Sequence, residues 1–109
     1  MVDDPKTGTA RDDVQRLVLA AVSAANSSAP PEHQVPTQLD AKLIGPGGAL
    51  DSLGLVGLLV AIEERIQDEF GVALTLADER AFARERTPFR TLRTLVDYTA
   101  ERLEEQRGG

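Results

Sequence analysis

Apolar residues recur along this chain at the spacing of amphipathic helices, in segments separated by stretches rich in Pro, Gly and Ser. In the first segment the spacing is i, i+3, i+4, i+7 and i+8, which predicts one apolar face on a helix from about Ala10 to Ala25. Thr9 can cap this helix, with Asp12 in the capping-box position. The residues of the predicted apolar face are Val14, Leu17, Val18, Ala21, Val22 and Ala25.

The second segment predicts a helix from Ser52 to about Phe70. Asp51 is suited to be its N-cap, because a carboxylate can accept hydrogen bonds from the first unpaired backbone N–H groups. Gly71 can take the left-handed conformation that ends a helix. The apolar positions expected to face the core are Leu55, Leu58, Leu59, Ile62, Ile66 and Phe70.

A short helix is predicted to follow, from Leu76 to about Arg84. Thr75 and Asp78 can cap its first turn. Phe82 is its expected contact with the core. A Thr-Pro pair then breaks the chain again.

The last helix is predicted to run to about Glu105, with Thr91 as its capping residue. Phe89 lies in the turn before this helix and is expected to insert into the core. Tyr98 is expected to pack against other residues rather than to take part in chemistry. The predicted core face consists of Leu92, Leu95, Val96, Thr99 and Leu103.

Together these elements predict an all-α fold. We expect a small four-helix bundle with three long helices, one short third helix and a long loop between the first and second helices. No segment alternates with the period of two that a strand would show. We expect residues 1–8 to form a flexible arm, residues 9–105 to form a single domain, and residues 106–109 to form a flexible tail.

The connection between the first two long helices spans Ser27 to Gly48, and its prolines exclude a continuous helix. Connections of this length are usually functional or partly disordered. Leu39, Leu43 and Ile44 are expected to pin it to the core. His33, the only histidine, lies here between prolines and is expected to be a solvated loop residue rather than a catalytic base.

Composition narrows the classes of function. The chain has 109 residues, of which 41% are hydrophobic and 28% charged, and this suits one small domain. A net charge of −6 argues against general affinity for nucleic acid and favours partners with basic patches. No apolar run has the length needed to span a bilayer, and the N-terminus lacks the features of a signal peptide. We therefore expect a cytoplasmic monomer that does not bind membranes.

The residues of enzymatic sites are missing or poorly placed. With no cysteine and one histidine, a zinc site is improbable, and the protein supplies no thiol of its own. The turn Gly45–Gly48 is not a phosphate-binding loop, because no Gly-Lys-Ser/Thr follows it. Ser52 lacks the Gly-x-Ser-x-Gly elbow of a hydrolase nucleophile. We therefore expect no catalytic residue, no metal site and no enzymatic activity.

A combination of motifs nevertheless points to a family. From roughly Lys42 to Leu103, the chain resembles an acyl carrier protein. The resemblance rests on the Gly-rich turn, Leu50-Asp51-Ser52-Leu53, the Leu-Leu-Val-Ala-Ile-Glu-Glu helix and Phe70-Gly71-Val72. In that family the serine of Asp-Ser-Leu carries 4′-phosphopantetheine, an arm whose terminal thiol holds acyl groups as thioesters.

The resemblance implies Ser52 as the attachment point, flanked by Asp51 and Leu53 as the other residues of the phosphopantetheine site. It implies 4′-phosphopantetheine, taken from coenzyme A, as a covalent cofactor. The expected partners are a phosphopantetheinyl transferase and enzymes that activate, transfer or condense acyl groups. The implied pathway is fatty-acid, polyketide or related secondary-metabolite biosynthesis.

A second apolar strip follows the serine along the predicted helix. Leu53, Val56 and Val60 form it, and Glu63 and Glu64 continue along the helix. Apolar residues on two sides of a helix indicate either deep burial or a contact surface. In acyl carriers the matching strip and its acidic neighbours dock partner enzymes, so the resemblance implies that role for these five residues. Solvated glutamates and partly buried valines are the alternative.

Two glycines depart from the commonest carrier pattern. Gly57 stands where many fatty-acid carriers have an acidic residue, and Gly54 precedes it by one turn. Each glycine within a helix costs about 1 kcal/mol relative to alanine. The two glycines also weaken the acidic docking surface, which favours a specialised pathway over housekeeping fatty-acid synthesis. Two other functions stay open: an aminoacyl or peptidyl carrier, and a helical interaction or dimerisation module without a prosthetic group, in which Ser52 only belongs to a helix cap.

Overall fold

A computed structural model of the chain describes residues 9–76 and 88–108. Within these residues the backbone forms three α-helices and one short 3-10 helix, and no strand. The only extended pairing there is an isolated bridge between Lys42 and Thr91. The elements are α1 (Thr9–Asn26), the 3-10 turn (Pro31–His33), α2 (Ser52–Phe70) and α3 (Leu92–Gly108). The predicted all-α class is confirmed for the described residues.

Helix α1 lies within one residue of each predicted end. Its apolar face is buried as predicted, with the exception of Ala25, which is exposed. This prediction was wrong because the helix leaves the core at its last turn, where Ala25 lines an open cleft instead. Helix α1 packs against both α2 and α3. An exposed ion pair, Arg11 Nη2 to Asp97 Oδ1 at 2.5 Å, adds a contact to α3.

The end of α1 is joined to the following loop by a side-chain clamp. The amide nitrogen of Asn26 donates to the carbonyl oxygen of Val35 at 2.8 Å, and the amide oxygen of Asn26 accepts from the backbone N–H of Val35 at 2.8 Å. The Val35 side chain is buried. This clamp fixes the path of the chain as it leaves the helix.

The rest of the loop is hydrogen-bonded to the start of α3. The N–H of Leu43 donates to the carbonyl of Arg90 at 2.7 Å, and the N–H of Leu92 donates to the carbonyl of Ala41 at 3.0 Å. The residues predicted to anchor this loop are buried or half-buried, namely Leu39, Leu43 and Ile44. The long connection is therefore part of the packed structure around the start of α2.

Helix α2 has the predicted bounds. Its five central core residues are buried and Phe70 is half-buried. The helix ends where Gly71 adopts φ 69°, and the N–H of Gly71 donates to the carbonyl of Gln67 at 2.9 Å. The left-handed conformation at this position favours glycine because it has no Cβ.

Helix α3 begins as predicted. The hydroxyl of Thr91 accepts from the N–H of Thr94 at 3.2 Å, and this satisfies a donor that the helix itself leaves unpaired. All five predicted core residues are buried. Phe89 is buried too, and its ring meets that of Tyr98 edge-on at 5.8 Å, so Tyr98 packs as expected. The helix continues to Gly108, past the predicted end at Glu105.

Within residues 9–76 and 88–108, the structure therefore has three of the four predicted helices. Leu76 was expected to begin the short third helix, but it is buried in a non-helical segment after α2. The remaining residues of that predicted helix, 77–84, and the predicted N-terminal arm, 1–8, lie outside the described residues. Among the helices described, none combines the length and apolar character required of a membrane span.

Candidate functional site

Ser52 is the first residue of α2 and is exposed. The carboxylate of Asp51 accepts from the N–H of Gly54 at 2.8 Å, so Asp51 is the predicted N-cap. The carbonyl of Asp51 accepts from the N–H of Leu55 at 2.9 Å. Two hydrogen bonds accepted by Asp51 thus fix the turn that carries Ser52, while the hydroxyl of Ser52 has no hydrogen-bond partner within residues 9–76 and 88–108.

The turn before Asp51 depends on glycine. Gly45 and Gly47 have φ of 85° and 82°, a region that other residues rarely adopt. A Cβ on Gly48 would lie 2.7 Å from the backbone of Ile44. The turn brings the chain back so that the N–H of Leu50 donates to the carbonyl of Leu43 at 2.8 Å. This closed turn leads directly into α2 and fixes the position of Ser52.

One side of α2 is apolar and open to solvent. The exposed fractions are 81% for Leu53, 38% for Val56 and 41% for Val60. Burying a side chain of this kind would stabilise a protein by about 1.5–3 kcal/mol, so leaving three of them exposed forgoes stability within the monomer. We call Leu53, Val56 and Val60 the exposed strip. It lies beside Ser52, as the sequence predicts.

The two glutamates near the exposed strip differ. Glu64 is exposed and lies one turn after Val60, so it flanks the strip. Glu63 is half-buried, and its Oε2 accepts from the N–H of Leu76 at 2.5 Å. Glu63 therefore fixes the segment after α2 with at least one of its oxygens. Sequence patterns did not predict this role, because the contact joins a helical residue to a non-helical segment 13 residues further along the chain.

A cleft of about 400 Å³ opens next to the exposed strip. It lies between the end of α1, the 3-10 turn and the first turns of α2, next to Ser52. Leu53, Gly54 and Gly57 line it from α2, and the lining is otherwise mostly apolar. The main apolar contributors from the other elements are Val22, Ala29, Pro30, Val35 and Leu50. Its volume is at the lower end of the range for small-molecule sites.

His33 also lines this cleft. It is exposed as predicted, but its position is fixed: Nδ1 lies 3.0 Å from the carbonyl oxygen of Ala49. A carbonyl oxygen only accepts, so Nδ1 carries the proton and donates. This leaves Nε2 as an acceptor in the uncharged ring. Sequence reasoning missed the pairing of His33 with the start of α2, because it depends on how the long loop folds.

The two glycines of α2 are the sequence feature that could have indicated the cleft. A Cβ on Gly54 would lie 3.2 Å from Asp51 Oδ1 and 3.4 Å from Leu50 Cδ2, so this glycine permits the close cap. A Cβ on Gly57 would meet no described atom within 4 Å. Packing within the described chain therefore does not explain Gly57. Its effect is to leave one wall of the cleft without a side chain.

Within the described residues, the arrangement offers the accessible hydroxyl of Ser52. The only histidine is committed to Ala49 through Nδ1. Within the described ranges, no three His, Asp or Glu residues are grouped as a metal site would require. The candidate site thus consists of Ser52, the exposed strip and the cleft. Comparison of the chain with protein-family models, with curated proteins and with solved structures gave no match.

Proposed function

We propose that this protein is an acyl carrier whose 4′-phosphopantetheine arm is attached to Ser52. The observation that carries the proposal is the position of Ser52: exposed on the first turn of α2, fixed by the Asp51 cap, and adjacent to the exposed strip. The proposal includes the finer fold, a four-helix bundle of the acyl-carrier type with one short third helix. It also includes the absence of enzymatic activity.

The residues present fit this prosthetic group. Attachment requires a hydroxyl that a separate transferase can reach, and Ser52 is exposed. The Ser52 oxygen forms a bond to the phosphorus that bears pantetheine, and the pyrophosphate bond of coenzyme A breaks. Adenosine 3′,5′-bisphosphate leaves, and the hydroxyl proton passes to a base of the transferase, which also supplies magnesium. When bound, the group provides a thiol that holds acyl units as thioesters.

Leu53, Val56 and Val60 form the docking surface in this proposal, with Glu64 beside them. Successive enzymes must bind and release a carrier quickly. A small apolar contact keeps dissociation fast, and surrounding charge speeds association with basic partners. The net charge of −6 supports such partners. Glu63 was assigned to the same surface from the sequence, and in the folded protein it also binds the backbone of Leu76.

A second candidate is a helical interaction or dimerisation module. The exposed strip favours it equally, since three apolar side chains on one side of a helix suit a permanent interface as well as a transient one. The two candidates differ at Ser52, which has no chemical role in the module. An aminoacyl or peptidyl carrier differs from the leading proposal only in its cargo. In the leading proposal the cargo is an acid of fatty-acid, polyketide or related secondary-metabolite biosynthesis.

The test is the intact mass of the purified protein before and after incubation with coenzyme A, magnesium and a broad-specificity phosphopantetheinyl transferase. We expect wild type and the Ser28→Ala variant to gain one phosphopantetheinyl group and Ser52→Ala to gain none. Ser28 is a matched control because it is another exposed serine. No gain in wild type with several transferases, together with self-association, would favour the interaction module.

A further inference from the structure

The peptide group between Ala49 and Leu50 is hydrogen-bonded on both of its sides. Its carbonyl oxygen, on Ala49, accepts from Nδ1 of His33 at 3.0 Å. Its N–H, on Leu50, donates to the carbonyl of Leu43 at 2.8 Å. A trans peptide group is planar and its C=O and N–H point in opposite directions, so two such bonds fix its orientation.

This peptide group determines how the chain enters α2. The turn before it contains glycines, which have more backbone freedom than any other residue. After it, only the dihedral angles of Leu50 and Asp51 separate it from Ser52. The first turn of the helix is defined by the bond from the N–H of Gly54 to the carboxylate of Asp51. Ser52 therefore lies between a fixed peptide group and a fixed helix turn.

His33 is itself held firmly by the end of α1. The side chain of Asn26 makes two bonds of 2.8 Å with the backbone of Val35, and Nε2 of Gln34 donates to the carbonyl of Asn26 at 3.3 Å. The N–H of His33 donates to the carbonyl of Pro30 at 2.9 Å. The fixed φ of proline restricts this short turn further. The bond from His33 thus joins the end of α1 to the entrance of α2.

No second hydrogen bond duplicates this connection. Within the described residues, the bond between His33 and Ala49 is the only one that joins the loop after α1 to the turn before Asp51. His33 is exposed, so its ring is not part of the hydrophobic core. An exposed side chain with this single described bond acts on the turn that leads to Ser52 rather than on core packing.

We propose that His33 is a positioning residue for the modification of Ser52. By fixing the peptide group between Ala49 and Leu50, it holds the Ser52 hydroxyl where that oxygen can attack the phosphorus of coenzyme A in the transferase. The inference rests on the proposed attachment of the arm to Ser52. It adds a residue outside α2 that governs how fast the arm is attached. His33 acts through the backbone and not on the reacting atoms.

Loss of the bond should slow the transfer without weakening the docking of the transferase. A small displacement of a reacting group lowers the rate of a reaction, and one hydrogen bond changes an equilibrium by about two- to tenfold. We therefore expect His33→Ala to lower kcat about two- to tenfold. KM for the carrier should stay unchanged, because the exposed strip lies on α2 and keeps its position. A general loss of folded protein would instead raise the apparent KM.

The experiment follows the transfer of the phosphopantetheinyl group from coenzyme A to the unmodified protein by intact mass, at several protein concentrations. His33→Asn keeps a nitrogen bonded to Cγ, where Nδ1 stands, and should restore kcat. His33→Gln carries its amide nitrogen one bond farther from the backbone and should not. Gln38→Ala is the matched control, because Gln38 is another exposed residue of the same connection whose side chain has no hydrogen bond within the described residues.

Two NMR measurements on the unmodified protein observe the bond itself. The ring nitrogen shifts should show that neutral His33 carries its proton on Nδ1. The amide hydrogen of Leu50 should exchange about two- to tenfold faster in His33→Ala than in wild type, because its peptide group has lost one of its two bonds. In His33→Asn it should exchange at the wild-type rate.

Two kinds of failure are distinguishable. An equal kcat in wild type and His33→Ala overturns the positioning role and leaves the carrier function intact. A loss of kcat that His33→Asn does not restore, or an equal loss in Gln38→Ala, overturns the positioning role as well. The absence of any modification of wild type refutes the carrier function itself, and the role of His33 in that modification fails with it.

Discussion

Replacing Gly57 with alanine should stabilise the protein. The residue lies in the interior of α2, is exposed, and a Cβ there would meet no described atom within 4 Å. Alanine removes the helix penalty of glycine, so the free energy of unfolding should rise by about 0.5–1 kcal/mol. For a domain of this size, about 1 kcal/mol corresponds to a rise in Tm of roughly 4–8 °C. Thermal unfolding followed by circular dichroism measures both quantities.

The other glycines of this helix provide internal controls. Gly71→Ala should destabilise by about 1–2 kcal/mol, because the residue has φ 69° and a Cβ is strained in that region. Gly54→Ala should gain less than Gly57→Ala, since its Cβ would crowd the cap atom Asp51 Oδ1 at 3.2 Å. A neutral or destabilising effect of Gly57→Ala, with the expected loss at Gly71, would refute the argument that packing within the chain does not require Gly57.

Substitutions at three further positions test other parts of the structure. Asp51→Ala should lower the free energy of unfolding by about 1 kcal/mol through loss of the cap, while Asp51→Asn should lose much less; urea unfolding compares them. Asn26→Ala should lower it by about 1–3 kcal/mol and speed hydrogen exchange at the amide of Val35, because both bonds of the clamp are lost. Val60→Asp should leave stability within about 0.5 kcal/mol but slow loading by acyl-transferring partners, because the residue is exposed on the proposed docking surface; normal loading kinetics would remove Val60 from that surface.

The helices that were predicted most closely are those with local signals at their ends. The bounds of α2 follow from Asp51, whose carboxylate reaches a nearby N–H, and from Gly71, whose missing Cβ permits a left-handed residue. The start of α3 follows from Thr91 in the same way. Such signals depend only on neighbours in sequence. The predicted end of α3 at Glu105 has no such signal, and the helix continues to Gly108.

The features that the sequence did not predict depend on contacts between distant segments. Ala25 has the spacing of a core residue, yet the cleft begins where α1 meets the folded-back loop. His33 was expected in solvent, and the bond to Ala49 brings its ring to the start of α2. Glu63 was expected on the docking surface, and it also binds the segment after its own helix. None of these pairings has a periodic or motif-like signature, so sequence patterns singled out Ser52 but not the cavity beside it.

Locating the modification in the chain would show whether Ser52 carries the proposed covalent arm. The protein would be produced together with a broad-specificity transferase, digested, and its peptides fragmented in a mass spectrometer. We expect one phosphopantetheinyl group on the peptide that contains Ser52, with fragments that assign it to that residue. The same group on a different residue, or an unmodified Ser52 peptide beside a control carrier that is fully modified in the same cells, would contradict it.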